Sequence, residues 1–208
     1  MITMKIEEAI NQLKGSKRNF VQTYDLIINL KNIDMKKPEN NFSKEVQLPH
    51  GTGKEISVCV ISENIKEGEN YDVLRKSDIE NIDKKEAKKI ARKYDFFLCE
   101  APLMVLVGKN LGRYLGPKGK MPKPIPPNAG PSLINPLVEI AKKSVRIVAK
   151  GSPTIHTFVG KENMKDEEIK ENIKKVIEEV EKALPKGRSQ IKSVLLKLTM
   201  SKPVKIDV

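Results

Sequence analysis

Aromatic side chains are scarce in this chain of 208 residues, which has no tryptophan, four tyrosines and five phenylalanines. This scarcity argues against a protein that holds single strands mainly by stacking bases on aromatic rings. No apolar stretch approaches the roughly 18 residues that a membrane helix needs, so we expect no membrane partner. Residues 1–8 lack the apolar core of a signal peptide, and we therefore expect a cytoplasmic protein.

Cysteine and histidine are nearly absent, with two residues of each. Cys59 and Cys99 lie in separate apolar runs, no CxxC pair exists, and His50 and His156 lie far from both in sequence. This spacing does not match known zinc modules, although a Cys2His2 site is the alternative that these residues leave open. We predict no metal, no cofactor, and two buried thiols in a reducing compartment.

Catalytic and nucleotide-binding motifs are missing as well. Glycine precedes lysine at residues 53, 108, 119 and 160, but no glycine lies five residues before any of them, as a phosphate-binding loop requires. The dinucleotide pattern GxGxxG is absent, and no Ser-His-Asp grouping or pair of carboxylates occupies a glycine-rich turn. These absences predict a protein that has no catalytic residues and is not an enzyme.

Acidic residues are fewer than basic ones. The chain has 27 Asp and Glu and 39 Lys and Arg, which gives a net charge of +12. A surplus of this size favours nucleic acid or an anionic surface as the partner. Between Leu103 and Pro124 an apolar run leads into a glycine- and proline-rich stretch without an acidic residue. We interpret this stretch as a basic loop suited to a polyanion, and the alternative is a solvated loop without specific function. Its cations are Lys109, Arg113, Lys118, Lys120 and Lys123, of which we expect the last four to form the basic loop.

Hydrophobic periodicity indicates two structural styles, and the first occupies both ends of the chain. Strands there alternate between apolar and polar residues, which is typical of antiparallel sheets with one solvated face. The pattern predicts an α+β architecture with an antiparallel hairpin formed by the first two strands. The expected elements are helices over 6–13 and 166–184 and strands over 20–33, 42–48, 154–159 and 191–200.

The middle of the chain alternates short, wholly apolar strands with amphipathic helices, which is typical of a parallel α/β layer structure. Its expected strands cover 56–61 and 96–99, its helices 84–93 and 132–143, and another strand follows over 145–148. A further helix is expected to begin near Pro102, because proline suits the first turn of a helix.

We therefore predict two domains, one discontinuous over residues 1–50 plus 145–208 and one inserted over residues 51–144. Pro49, Gly51 and Gly53 would form a hinge between them, because glycine absorbs backbone rotation and proline limits it. The alternative is a single mixed domain.

Residues 110–122, Asn-Leu-Gly-Arg-Tyr-Leu-Gly-Pro-Lys-Gly-Lys-Met-Pro, resemble the signature of the ribosomal protein L1 family. The resemblance extends over essentially the whole chain and includes residues 48–51, 155–161 and the Thr199-Met200 step. The Lys- and Ile-rich composition and the start without a bacterial-style extension look archaeal. This resemblance implies a split, sandwich-like α+β RNA-binding domain interrupted by a Rossmann-like α/β domain.

The resemblance also implies a function and a set of partners. The chain would bind large-subunit rRNA, form the mobile stalk beside the tRNA exit site, contact exiting tRNA, and repress its own messenger RNA. The free protein is expected to be monomeric. An RNA-dependent enzyme with a small-substrate site in the α/β domain is the alternative.

The RNA-binding residues that the resemblance implies lie on the discontinuous domain. They are Phe20, Thr23, Lys150, Ser152, Lys161, Ser193, Thr199, Met200 and Ser201. Hydroxyl groups can exchange hydrogen bonds with ribose, and Phe or Met can pack on a sugar or base. Many relatives have Gly before the proline that follows the Thr-Met step. This chain has Ser201-Lys202-Pro203 there, so we expect a stiffer turn.

Overall fold

The computed structural model describes residues 4–15, 18–35, 37, 40–65, 70–127 and 130–207. It confirms a mixed fold of helices and several sheets. The chain forms two compact units, unit 1 of Met1–Lys54 with Lys143–Val208 and unit 2 of Glu55–Lys142.

The described residues form ten strands and seven α-helices. In chain order they are α1 (Ile6–Lys14), β1 (Thr23–Leu30), β2 (Phe42–Gln47), β3 (Val58–Ile61), β4 (Asp72–Leu74), α2 (Lys76–Glu80), α3 (Lys84–Lys93), β5 (Phe96–Glu100), α4 (Met104–Asn110), α5 (Gly112–Leu115), β6 (Lys123–Ile125), α6 (Pro131–Lys142), β7 (Ser144–Ala149), β8 (Thr154–Lys161), α7 (Asp166–Ala183), β9 (Ile191–Leu198) and β10 (Val204–Ile206).

Unit 1 is built around an antiparallel sheet in the order β10-β9-β1-β8. Alternate residues of β1, among them Leu26 and Ile28, are fully buried in one core with Ile10 of α1 and Ile173 of α7. Burying such a side chain contributes about 1.5–3 kcal/mol, so the period-two pattern of β1 stabilises one orientation of the strand. The opposite side of β1 is left half-buried.

The predicted hairpin of the first two strands is wrong. Strand β2 pairs with β7, with Val46 opposite Val145, and forms a separate two-stranded sheet. Strand β1 has β8 on one edge and β9 on the other, so no backbone edge remains for β2. Strand β1 therefore pairs with the distant strands β8 and β9, and not with its neighbour β2 as the alternating pattern indicated.

Unit 2 contains a parallel sheet in the order β4-β3-β5-β6. Separate apolar clusters pack on its two faces. All four residues of β3 are consequently buried, which explains why this strand reads as an unbroken apolar run.

The predicted basic loop is shorter than expected. Residues 116–122, which include Lys118 and Lys120, lie outside helices and strands, but helices α4 and α5 and strand β6 occupy most of the rest of the stretch, with Arg113 in α5 and Lys123 in β6. The reason is a repeat of buried residues every four positions, which places one apolar face along a helical path. These residues are Leu103, Val107, Leu111 and Leu115.

The residues expected at the hinge lie inside unit 1. Gly51 and Gly53 have φ angles of +65° and +66°, a backbone conformation that favours glycine. The Gly51 carbonyl accepts a hydrogen bond from Asn172 Nδ2 of α7 at 2.9 Å, and the His50 N–H donates to Asn172 Oδ1 at 3.3 Å. Pro49 directly precedes this clamp, so rotation at Gly51 would break bonds to α7.

Candidate nucleic-acid interface

Helices α1 and α7 cover one face of the four-stranded sheet of unit 1, and the other face carries half-buried and exposed side chains. On β1 these are Thr23, Asp25, Ile27 and Asn29, which alternate with core residues because successive side chains of a strand point to opposite sides. We call this surface, with the adjoining outward positions of β8 and β9, the open face.

One end of the open face is formed where β1 begins and β9 ends. The Thr199 N–H donates to the Thr23 carbonyl at 3.1 Å, and the Thr23 N–H donates to Thr199 Oγ1 at 3.1 Å. Lys161 lies opposite Thr23 on β8. The turn is closed by Ser201, whose N–H donates to the Leu198 carbonyl at 3.0 Å and whose Oγ accepts the Leu198 N–H at 2.8 Å.

Two large apolar side chains are exposed beside this turn. Phe20 is 51% exposed and Met200 is 59% exposed, although residues of this kind are usually buried. The structure thus brings six of the predicted residues to one place, which we call the turn end. They are Phe20, Thr23, Lys161, Thr199, Met200 and Ser201.

The other three predicted residues lie at the opposite end of the same face. Ser193 Oγ accepts a hydrogen bond from Asn29 Nδ2 at 3.1 Å, and Thr154 Oγ1 donates to Asn29 Oδ1 at 3.2 Å. Lys150 and Ser152 are exposed in the turn just before Thr154. We call these five residues the loop end.

The two ends are separated by the length of β1. Thr23 and Asn29 are six positions apart, which corresponds to roughly 20 Å at about 3.3 Å per residue. The predicted residues therefore form two groups at the ends of one surface rather than a single cluster.

The centre of the open face carries charged and polar residues that the sequence-based site did not include. Asp25 lies between Lys197 on β9 and Phe158 on β8, and His156 lies opposite Ile27. Burial raises the pKa of Asp25, while Lys197 and His156 act in the opposite direction. The alternation of β1 and β9 was the available signal, because Asp25 and Lys197 share the polar face with the predicted residues.

Positive charge in unit 1 is distributed unequally between its two helices and the rest of the unit. Helices α1 and α7 together contain nine acidic and five basic residues, whereas the rest of unit 1 contains six acidic and nineteen basic residues. The two helices are thus net negative, and the cationic surplus of unit 1 belongs to its strands and connecting segments. Lys161 and Lys197 on the open face, with Lys150 in the adjoining turn, are cations that would attract a polyanion to this surface.

The cations of the predicted basic loop are largely engaged within unit 2. Lys118 Nζ donates to the Ala91 carbonyl at 3.0 Å, and Lys120 Nζ donates to the Tyr94 carbonyl at 2.7 Å, both at the carboxyl end of α3. Loss of hydration, with Lys120 and Arg92 nearby, lowers the pKa of Lys118. Lysines commonly satisfy the last carbonyls of a helix, so these two residues contact the end of α3, with Lys120 half-buried and Lys118 still exposed.

The two thiols are buried and unpaired, as predicted. Burial raises the pKa of Cys59 and of Cys99 to about 12 each, so both remain protonated at neutral pH. Within the described ranges no group of three or more His, Cys, Asp or Glu side chains is placed to hold a metal ion. In the described part of the chain, no helix is long and apolar enough to cross a membrane.

Comparisons with known proteins agree over nearly the whole chain. Residues 12–202 match the model of the Ribosomal protein L1p/L10e family. The chain is 46% identical over 210 residues to large ribosomal subunit protein uL1 of Pyrococcus abyssi, which covers 97% of this chain and 95% of that protein. Against uL1 of Pyrococcus horikoshii the identity is 44% over 211 residues, covering 98% and 95%. Against uL1 of Methanocaldococcus jannaschii it is 46% over 195 residues, covering 91% and 88%.

Proposed function

Because this chain belongs to the Ribosomal protein L1p/L10e family, we propose that it binds large-subunit rRNA through the open face of unit 1. The family consists of structural ribosomal proteins and not of enzymes, and a ribosomal protein works in the cytoplasm. The observation that carries the proposal is the open face itself, a polar sheet surface opposite the helices of unit 1 that carries Lys161 and Lys197, with Lys150 exposed in the adjoining turn.

The two ends of the open face would make different kinds of contact. Lys150 and Lys161 are placed for phosphate oxygens, which supply affinity and are sensitive to salt. The Ser193 hydroxyl accepts a bond from Asn29, so its own proton can be donated to a ribose or phosphate oxygen. Phe20 and Met200 would pack on a sugar or an unstacked base.

The finer functional statements are parts of the same proposal. Unit 1 would be the discontinuous RNA-binding domain and unit 2 the inserted Rossmann-like domain, together forming the mobile stalk near the tRNA exit site, where exiting tRNA is a further partner. The protein would be monomeric when free. A segment of the protein's own messenger RNA with the same backbone shape as the rRNA would bind to the open face. Binding there would repress synthesis of the protein.

A matched pair of lysine substitutions tests the location of the interface. Lys150 and Lys174 are both exposed, but Lys150 lies at the loop end and Lys174 lies on α7. We expect Lys150→Ala to reduce the slope of log K against log salt by about 0.7–0.9, since one phosphate contact is lost. Lys174→Ala should leave the slope unchanged. Equal reductions by both substitutions would contradict binding at the open face.

A further inference from the structure

Gln22 is a fully buried polar residue immediately before β1, and it joins three segments of unit 1. Its Oε1 accepts the N–H of Met200 at 3.2 Å. Its Nε2 donates to Glu162 Oε2 at 3.5 Å, and its backbone N–H donates to the same oxygen at 3.2 Å. The Glu162 N–H donates in return to the Gln22 carbonyl at 2.9 Å. The residue thus links the start of β1, the turn after β8 and the turn after β9.

The chemistry of the partners determines which way the amide of Gln22 points. A backbone N–H can only donate, so the atom facing Met200 must be the oxygen. A carboxylate can only accept, so the atom facing Glu162 must be the nitrogen. Both partners require the same orientation, and neither a glutamate nor an apolar side chain at position 22 could satisfy both.

We propose that Gln22 is the positioning residue of the RNA-binding turn. This inference rests on the proposed function of the open face. The backbone bonds of Thr199 and Ser201 hold the neighbours of Met200, and Gln22 holds Met200 itself. The backbone of Met200 is therefore held in place before RNA arrives, which reduces the backbone conformational entropy lost on binding.

Loss of this bond should affect RNA recognition more than folding. The bond between the Met200 N–H and Gln22 is only partly buried, and Met200 lies at the surface, so we expect water to reach this N–H once the Gln22 oxygen is removed. The turn would then sample other conformations while the core beneath it stays packed. The sensitive quantities are the affinity for rRNA and the exchange of the Met200 amide proton.

The test uses the full chain with Gln22→Met, which keeps the length of the side chain but removes its acceptor and donor. We expect amide exchange at Met200 and the dissociation constant for a large-subunit rRNA fragment each to rise roughly five- to tenfold, as for the loss of one hydrogen bond. Binding to random RNA of the same length should not change. Gln190→Met is the matched control, because Gln190 is also buried and its Oε1 accepts a backbone N–H, that of Lys186.

A charge exchange provides the rescue. Gln22→Glu alone places two carboxylates side by side and should weaken rRNA binding, since like charges at this distance repel. Gln22→Glu combined with Glu162→Gln restores an acceptor for Met200 and a donor between positions 22 and 162. We expect the double variant to regain slow Met200 exchange and affinity within about threefold of the original protein.

The outcomes separate the two proposals. Faster Met200 exchange with weaker rRNA binding, both reversed by the double variant, supports the positioning role. Weaker binding without any change in Met200 exchange, or a double variant no better than Gln22→Glu, would overturn it. If the original protein does not prefer the rRNA fragment to random RNA, the proposed function fails, and Met200 exchange still reports whether Gln22 holds the turn.

Discussion

The sheets of the two units differ in what covers them. In unit 1, helices pack on one face of an antiparallel sheet, and the other face presents polar side chains such as Asn29 and Ser193. In unit 2, apolar clusters lie on both faces of a parallel sheet, so its central strands β3 and β5 have no polar face. A sheet with one free face can bind a large partner along its strands. The difference therefore supports our proposal that the RNA-binding surface lies on unit 1.

The units also differ in how they use their lysines. Unit 1 has 24 Lys and Arg against 15 Asp and Glu, a net charge of +9, whereas unit 2 has 15 against 12, a net charge of +3. In unit 2, Lys118 and Lys120 contact carbonyls at the end of α3. In unit 1, Lys150 is exposed in a turn beside the open face. The contacts that each lysine makes in the structure are thus better evidence for or against an interface than a basic motif in the sequence.

Separating the units should have the largest effect. A protein in which Lys54 is joined to Lys143 by a short glycine linker lacks unit 2, and we expect it to bind the rRNA fragment within about tenfold of the full chain. Residues 55–142 alone should bind more than about 100-fold more weakly, which corresponds to ~2.8 kcal/mol. A folded unit 1 that loses more than 100-fold in affinity would show that unit 2 carries specific contacts.

Truncating an exposed apolar side chain at the turn end should have the next largest effect. We expect Met200→Ala to weaken binding to the rRNA fragment by ~1–3 kcal/mol and to leave binding to random RNA nearly unchanged. Val105→Ala is the control in unit 2, since Val105 is 69% exposed. Competition binding against both RNAs measures the difference, and equal losses on the two RNAs would contradict a specific contact.

Removing the engaged lysines of unit 2 should change the salt dependence little. We expect Lys118→Met with Lys120→Met to lower the salt slope by less than about 0.5, because these lysines contact helix carbonyls, and to lower the unfolding midpoint of unit 2. The matched pair in unit 1, Lys150→Met with Lys161→Met, should lower the slope by about 1.4–1.8. If the substitutions in unit 2 lowered the salt slope more than those in unit 1, the proposal that the lysines of unit 1 make the phosphate contacts would be contradicted.

An ion-pair cluster on the helical side of unit 1 gives the smallest expected effect. Lys44, Lys182 and Lys175 hold the pKa of Glu179 near 2, below its ordinary value of 4.5. Because the folded pKa is the lower one, this contribution to stability is complete above pH 4.5 and is lost as the pH falls towards 2.

We expect Glu179→Gln to cost about 0.5–1 kcal/mol at neutral pH, with the difference from the original protein vanishing at low pH. Urea unfolding at a series of pH values measures it. The neighbouring exposed residue provides the control substitution, Glu178→Gln. A difference that persists unchanged at pH 2 would mean that the carboxylate of Glu179 is not the source.

Much of the architecture could be predicted from the sequence. The family resemblance is confirmed, the structure places α3 at the residues predicted for it, and α7 ends one residue before its predicted limit. These helices were predictable because their apolar residues recur at three- and four-residue spacing. Two predictions failed, the second only in part. Strand β2 was predicted to pair with β1, its neighbour in sequence, but it pairs with the distant strand β7. The glycines and prolines near Gly116 indicate a loop, although the four-residue spacing of buried residues that ends at Leu115 indicates helix.

The candidate site was predictable only in part for the same reason. Asn29 shares the polar face of β1 with Thr23, so its place on the open face follows from alternation. Gln22 and Glu162 carry no local signal, because their bond joins residues 140 positions apart in sequence. Contacts of this kind depend on the register between β1 and β8, which single-sequence patterns do not determine.

The central claim is that RNA is recognised on the open face of unit 1. The most direct test is a titration of the full, isotope-labelled chain with the rRNA fragment, in which the backbone amide shifts of each residue are followed. We predict that the largest shifts occur at both ends of the open face, at Thr23, Thr199 and Met200 and at Asn29 and Ser193. Shifts concentrated on α7 or in residues 55–142 would contradict the claim.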